Sequence, residues 1–184
     1  AKSLPDMEDR DWRILKEDYR IAYKGTIWHG NPIRSWEESF LPKPILKAVD
    51  SLSYERPTAI QMAAVPIGQT SRDVIGVAST GSGKTCGFVV PMLLHIMSLP
   101  KITPLTSDDG PYGLILAPTR ELAMQIEEEA KQLAKFTGIR ILSVVGGAGM
   151  ETQGSLIRKG VEIVIATPGR AQDMIERQQL VLNQ

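Results

Sequence analysis

The run Ala78-Ser79-Thr80-Gly81-Ser82-Gly83-Lys84-Thr85 follows the apolar stretch Asp73-Val74-Ile75-Gly76-Val77 and opens into Cys86 to Met97. An apolar strand, a turn with little side-chain bulk and a helix beginning at Lys-Thr are what a cradle for a phosphate chain requires. Polyphosphate is densely charged and needs many donors at once. The backbone N–H groups of Gly81 to Thr85 converge on it only if glycines keep the loop slim, and the helix N-terminus adds favourable partial charge. With Ser79, Thr80 and Ser82 completing the turn, Lys84 would bridge the outer phosphates as a point charge and the Thr85 hydroxyl would ligate Mg²⁺. Lys84 and Thr85 are therefore the candidate catalytic pair. A plain Gly/Ser linker is the bland alternative, and such linkers rarely end in Gly-Lys-Thr before an apolar helix.

Three later turns share a second chemistry: Pro118-Thr119-Arg120, Gly146-Gly147 and Thr167-Pro168-Gly169-Arg170. They combine hydroxyls, glycines that bare backbone N–H groups, and arginine in two of the three. Together they could follow a second phosphate chain, with Thr119, Thr167 and the amides positioning it and Arg120 and Arg170 supplying charge. Taken singly, Pro-Thr-Arg could simply cap the next helix, and Gly146-Gly147 could be an ordinary strand exit.

The elements that must position these turns alternate regularly. Strands are predicted over Gly113 to Ala117, Ile139 to Val145 and Val161 to Ala166, and helices over Glu121 to Phe136, Glu151 to Lys159 and Ala171 to Gln179. The strands are apolar throughout, as parallel strands covered on both faces are. With 73–77 as the first strand, the pattern predicts a doubly wound, mostly parallel α/β sheet. Ligands of such sheets sit beyond the carboxyl ends of the strands, which puts the glycine loop and the three turns on one rim. Upstream, Pro44 to Leu52 reads as a short helix and Thr58 as the N-cap of Ala59 to Val65, with Pro66 bending or ending it. The helix through Phe88 and Met97 contains Pro91, which should kink it. Pro100 to Pro111 reads as an exposed loop. Pro5 to Arg20 is a charged segment with Trp12, Leu15 and Tyr19 at helical spacing, and Ile21 to Arg34 an extended arm. That stripe packs on its own domain or docks on a partner.

Length and composition set outer limits. The 184 residues, 42% apolar, suffice for one domain with a core. Basic and acidic residues balance at 21 each, so any nucleic-acid contact must be local. A single cysteine, Cys86, excludes an intramolecular disulfide and a cysteine-based metal cluster. With no apolar run of membrane-spanning length and no signal-peptide pattern, the expectation is a soluble, intracellular chain. Cys86, His29 and His95 have no partner pattern and are assigned no chemistry.

The ordered motifs carry a family resemblance. Tyr54 to Gln61 with Pro57-Thr58 and Ile60-Gln61, Ala78 to Thr85, Pro118-Thr119-Arg120-Glu121-Leu122-Ala123, Gly146-Gly147 and Thr167 to Arg170 resemble the series in the first RecA-like domain of DEAD-box ATP-dependent RNA helicases. Residues 34–184 then resemble part of that domain, a P-loop fold incomplete at its C-terminus, with residues 1–33 as a helix and arm in front. The resemblance implies ATP and Mg²⁺ as cofactors and RNA as partner. Gln61 resembles the glutamine that reads the adenine edge, which an amide can do by donating and accepting together. Tyr54 matches the aromatic that stacks on the base, Arg56 the position whose backbone lies beside it, and Trp36 the upstream aromatic that buttresses Tyr54. Core packing is the other reading of both aromatics.

Three positions depart from the family pattern: Ser53 replaces the usual Gly, Ala59 a frequent Pro, and Ala171 the usual Leu. Asn31 to Trp36 resembles the pre-mRNA-splicing subgroup acting at the 5′ splice-site step, which implies a nuclear protein with ribonucleoprotein partners. The Asp-Glu-Ala-Asp motif, the Ser-Ala-Thr turn and the second RecA-like domain do not occur in the 184 residues. The expectation is a fragment with an open sheet edge, able to bind nucleotide weakly at most and without useful hydrolysis of its own. A non-catalytic docking module and another kind of P-loop ATPase are the alternatives.

Overall fold

A computed structural model of the chain describes residues 2–25, 30–147 and 149–184. Residues 26–29 of the expected arm, with His29, lie outside them. Seven helices and three strands are assigned among the described residues.

Helix α1 (Asp9–Asp18) follows a short 3-10 turn at Leu4–Asp6, and the Asp11 carboxylate accepts from the Glu8 backbone N–H at 3.0 Å, closing the first turn. Trp12 is buried, whereas Ile14 and Tyr19 remain at the surface. The Arg34 guanidinium lies 5.8 Å from the Trp12 ring centroid, pairs with Glu38 and donates to the Lys2 carbonyl at 2.8 Å. The apolar stripe of α1 thus turns its tryptophan toward the rest of the chain.

Helices α2 (Lys43–Ser51), α3 (Ala59–Gly68) and α4 (Lys84–Met97) follow. Pro66 does not end α3, which runs on to Gly68, and Pro91 lies inside the continuous α4. The two helices approach closely where Gly68 meets Pro91: a Cβ at Gly68 would stand 2.5 Å from the proline ring.

The remainder alternates as the pattern requires: β1 (Gly113–Leu116), α5 (Arg120–Ala134), β2 (Ile141–Val144), α6 (Met150–Arg158), β3 (Ile163–Ala166) and α7 (Pro168–Glu176). The strands are parallel in the order β1-β3-β2, with Gly113 and Ile141 both opposite Ile163. Alternation along β3 divides the core. Ile163 and Ile165 face the cluster built with α2 to α5, and Val164 and Ala166 the cluster that holds Met174 and Leu180. Only β3 is buried at every position; Leu116 at the end of β1 is half exposed, because β1 and β2 are sheet edges.

One expected strand is not formed. Residues 72–79 carry no regular structure, and no backbone hydrogen bond joins 73–77 to another described segment. Ile75 is 95% exposed and Val77 88%. A strand exists through its ladder, and the three-stranded sheet places no neighbour beside this run.

Ser53, the residue standing where the resembled family has Gly, has φ of 55°. A Cβ in this left-handed region is strained by roughly 1–2 kcal/mol. Ser53→Gly is therefore expected to raise stability by about 0.5–1 kcal/mol, part of the relief being offset by glycine's greater freedom in the unfolded chain. A urea midpoint that fails to rise would show the position to be unstrained.

Candidate functional site

The glycine loop is held mainly by α3. Thr58 caps that helix, and its hydroxyl donates to the Ser82 carbonyl at 2.7 Å. Gln61, buried, accepts from the Thr58 N–H at 2.9 Å and donates through Nε2 to the Gly83 carbonyl at 3.1 Å. Within the loop, the Ser82 hydroxyl and N–H both donate to the Ser79 carbonyl. Gly81 and Gly83 have φ of 75° and 82°, the left-handed conformation that brings the chain into α4. A Cβ on Gly83 would also collide with the Gln61 amide.

The N–H groups of Gly81, Gly83, Lys84 and Thr85 have no acceptor among the described residues, so the loop presents a cluster of donors at a helix N-terminus. That geometry fits a phosphate chain. The Lys84 ammonium meanwhile donates to the carbonyls of Ala78, at 2.7 Å, and Ser79, at 2.6 Å. Its charge lies over the loop itself, and a bound phosphate would compete with two backbone dipoles for it. Thr85, half-buried, offers one hydroxyl for Mg²⁺. No group of three or more His, Cys, Asp or Glu side chains among the described residues could hold a metal unaided.

Of the residues assigned to the base, Gln61 alone is tied to the loop. Tyr54 is 37% exposed and Arg56 is exposed beside it in sequence, while Trp36 is buried in the core with Ile33, Leu41 and Ile45, its indole N–H without a partner. Both functional atoms of the Gln61 amide are already engaged, but each keeps capacity for a second bond.

The three turns emerge side by side at the carboxyl ends of β1, β2 and β3. Pro118, Thr119 and Arg120 are exposed, and the Thr119 hydroxyl accepts from the Leu122 N–H at 3.2 Å, so it caps α5. Gly147, with φ of 92°, lies against the Arg120 guanidinium: a Cβ there would stand 2.8 Å from Nη1. Arg170 Nε donates to the Val145 carbonyl at 3.2 Å. Thr167 precedes α7 with no side-chain cap, and Gly169 is exposed with open space where a Cβ would stand. Gln153, not singled out from the sequence, reaches the same Val145 carbonyl from α6. A lone glutamine on a helix gives no signal of such a contact.

A parallel α/β sheet with arginine-bearing turns on its rim, together with a glycine loop at a helix N-terminus, has the form of a RecA-like domain. The chain belongs to the DEAD/DEAH box helicase family, whose model matches residues 58–184. It is 54% identical over 183 residues to a pre-mRNA-splicing ATP-dependent RNA helicase, PRP28, from Gibberella zeae, covering 100% of this chain and 25% of that protein. The solved structure of the yeast DEAD-box splicing factor Prp28 superposes with a TM-score of 0.90 at 42% identity, covering 98% of this chain and 42% of that one. The RNA helicase Prp28 from Chaetomium thermophilum, solved bound to ADP, matches with a TM-score of 0.88 at 49% identity, over 100% of this chain and 44% of its own. The chain spans about a quarter of the length of the curated relatives it matches.

Two outcomes follow from the local bonding. Gln61→Ala should lower stability by about 1–3 kcal/mol even without nucleotide, since the Thr58 N–H and the Gly83 carbonyl lose their side-chain partner; an unchanged urea midpoint would show the amide to be idle. Cys86 is buried at the start of α4, and burial pushes its thiol up to about 12. The thiolate is the nucleophile, so the folded chain should resist iodoacetamide at pH 8 and react once unfolded. Rapid alkylation of the folded chain would contradict the burial.

Proposed function

We propose that this chain is the front part of an ATP-dependent RNA helicase that separates short RNA duplexes during pre-mRNA splicing, at the step of 5′ splice-site recognition. The observation that carries the reading is the pair of bonds from Thr58 and Gln61 to the Ser82 and Gly83 carbonyls. They join the segment proposed to read adenine to the loop proposed to hold the phosphates, so base and phosphate recognition are parts of one site. In this reading Tyr54 stacks on the base with the Arg56 backbone beside it, Trp36 supports Tyr54 from the core, and Gln61 reads the base edge with its remaining hydrogen-bonding capacity. The Ser79 to Thr85 loop takes the phosphates, and Thr85 contributes to Mg²⁺.

Pro118, Thr119, Arg120, Gly146, Gly147, Thr167, Gly169 and Arg170 form the RNA face. Thr119 acts there through its backbone and its hydroxyl hydrogen, which stays available to donate while the oxygen accepts from the Leu122 N–H. The splicing role draws support from relatives that are pre-mRNA-splicing ATP-dependent RNA helicases, and a nuclear site of action and ribonucleoprotein partners are part of the same proposal. Residues 1–33 serve as the segment that meets such partners, and residues 34–184 as the nucleotide and RNA unit.

Phosphoryl transfer is accomplished by positioning and charge stabilisation. The loop supplies the grip, but the described residues hold no acidic cluster to complete the charge. RNA-stimulated ATP hydrolysis is thus expected to be negligible for the 184-residue chain and clear for the full-length protein, and Lys84→Ala should abolish it there. Turnover by the short chain, or full-length turnover indifferent to Lys84→Ala, would overturn the proposal.

A further inference from the structure

The Val145 carbonyl, at the exit of β2, is where α6, α7 and the glycine turn meet. Two side chains donate to this one oxygen: Arg170 Nε from the first turn of α7 at 3.2 Å, and Gln153 Nε2 from the first turn of α6 at 3.3 Å. Val145 is itself buried, and the next two residues are Gly146 and Gly147. The other side of that turn lies against the Arg120 guanidinium. The turn thus has the Arg120 guanidinium beside Gly147 and an Arg170 hydrogen bond on the residue before it.

Gln153 is only 7% exposed, and its Oε1 has no hydrogen-bond partner. The orientation of the amide follows from its acceptor, since a carbonyl oxygen can only receive the NH₂ half. A buried acceptor without a partner is costly, and a methionine of similar length would fill the space without that cost. Packing therefore does not account for the amide. The bond to Val145 does.

We infer that Gln153 is a positioning residue for RNA binding: by holding the Val145 carbonyl together with Arg170, it sets the Gly146-Gly147 turn and the spacing of Arg120 and Arg170 across the rim. It touches no RNA in this account, and the inference rests on the rim being the RNA face.

The test is RNA affinity in the full-length protein, read by fluorescence anisotropy of a labelled single-stranded oligonucleotide across a salt series, beside nucleotide affinity and thermal midpoint. Gln153→Met should weaken RNA binding about 3- to 10-fold, the worth of one neutral hydrogen bond, and leave nucleotide affinity unchanged. Because no charge is removed, the slope of log affinity against log salt should stay as it was. Arg170→Ala should instead flatten that slope by about 0.7 for one lost phosphate contact.

Should Gln153→Met not fold, Gln153→Asn, which withdraws the amide by one methylene, decides the matter with the same expected pattern. RNA affinity unaltered in the Gln153 variant while Arg170→Ala weakens binding overturns the inference alone. If Arg170→Ala also has no effect on affinity or slope, the rim reading falls, and the inference with it. Parallel losses of RNA and nucleotide affinity would make Gln153 a general structural residue and likewise overturn the inference.

Discussion

The site depends on the attachment of the glycine loop to α3. A phosphate loop is ordinarily described as the link between a strand and a helix, yet here the residues before it join no ladder. What fixes it are two side chains of a single capping box at the N-terminus of α3. Because Thr58 caps α3 and also holds Ser82, and Gln61 closes the box and also holds Gly83, the helix start and the loop cannot rearrange separately. Gly83 has to be glycine twice over, for its left-handed backbone and for the amide lying against it.

The rim obeys a different constraint. Its three turns are placed by sheet order, β1-β3-β2, and by the shared direction of the strands. Parallel pairing brings the carboxyl ends of all three strands to one side, and side-chain contacts across the turns set the fine spacing. The Arg120 guanidinium lies against Gly147, and Arg170 donates to the Val145 carbonyl, so both proposed RNA-binding arginines meet backbone at the second turn.

Much of this was legible in the sequence. The βα rhythm after residue 113 predicted three strands and three helices within a few residues of their ends, because apolar runs and turn residues are local signals. The loop and the three turns were recognisable from residue type and order. Three features were not. The 73–77 run has the composition of a buried strand but no ladder, and pairing is a tertiary fact that apolar composition cannot supply. The second duty of the Gln61 amide, toward Gly83, spans 22 residues of sequence. Gln153 looks like any polar residue on an amphipathic helix until β2 is placed beside it. Thr119 shows the reverse: its capping of α5 was one of the local alternatives, and the hydroxyl does cap.

The uncovered run 73–77 also bears on how the chain behaves in company. Its backbone donors and acceptors and its two almost wholly exposed aliphatic side chains offer the template that an incoming strand needs. The segment Val74-Ile75-Gly76-Val77-Ala78 carries no charge, and the chain as a whole is electrically neutral near pH 7. No long-range repulsion then keeps two molecules apart when such edges meet. A strand laid along these residues would satisfy their backbone groups and take Ile75 and Val77 out of water, so whatever covers the run also shields the molecule from its own copies.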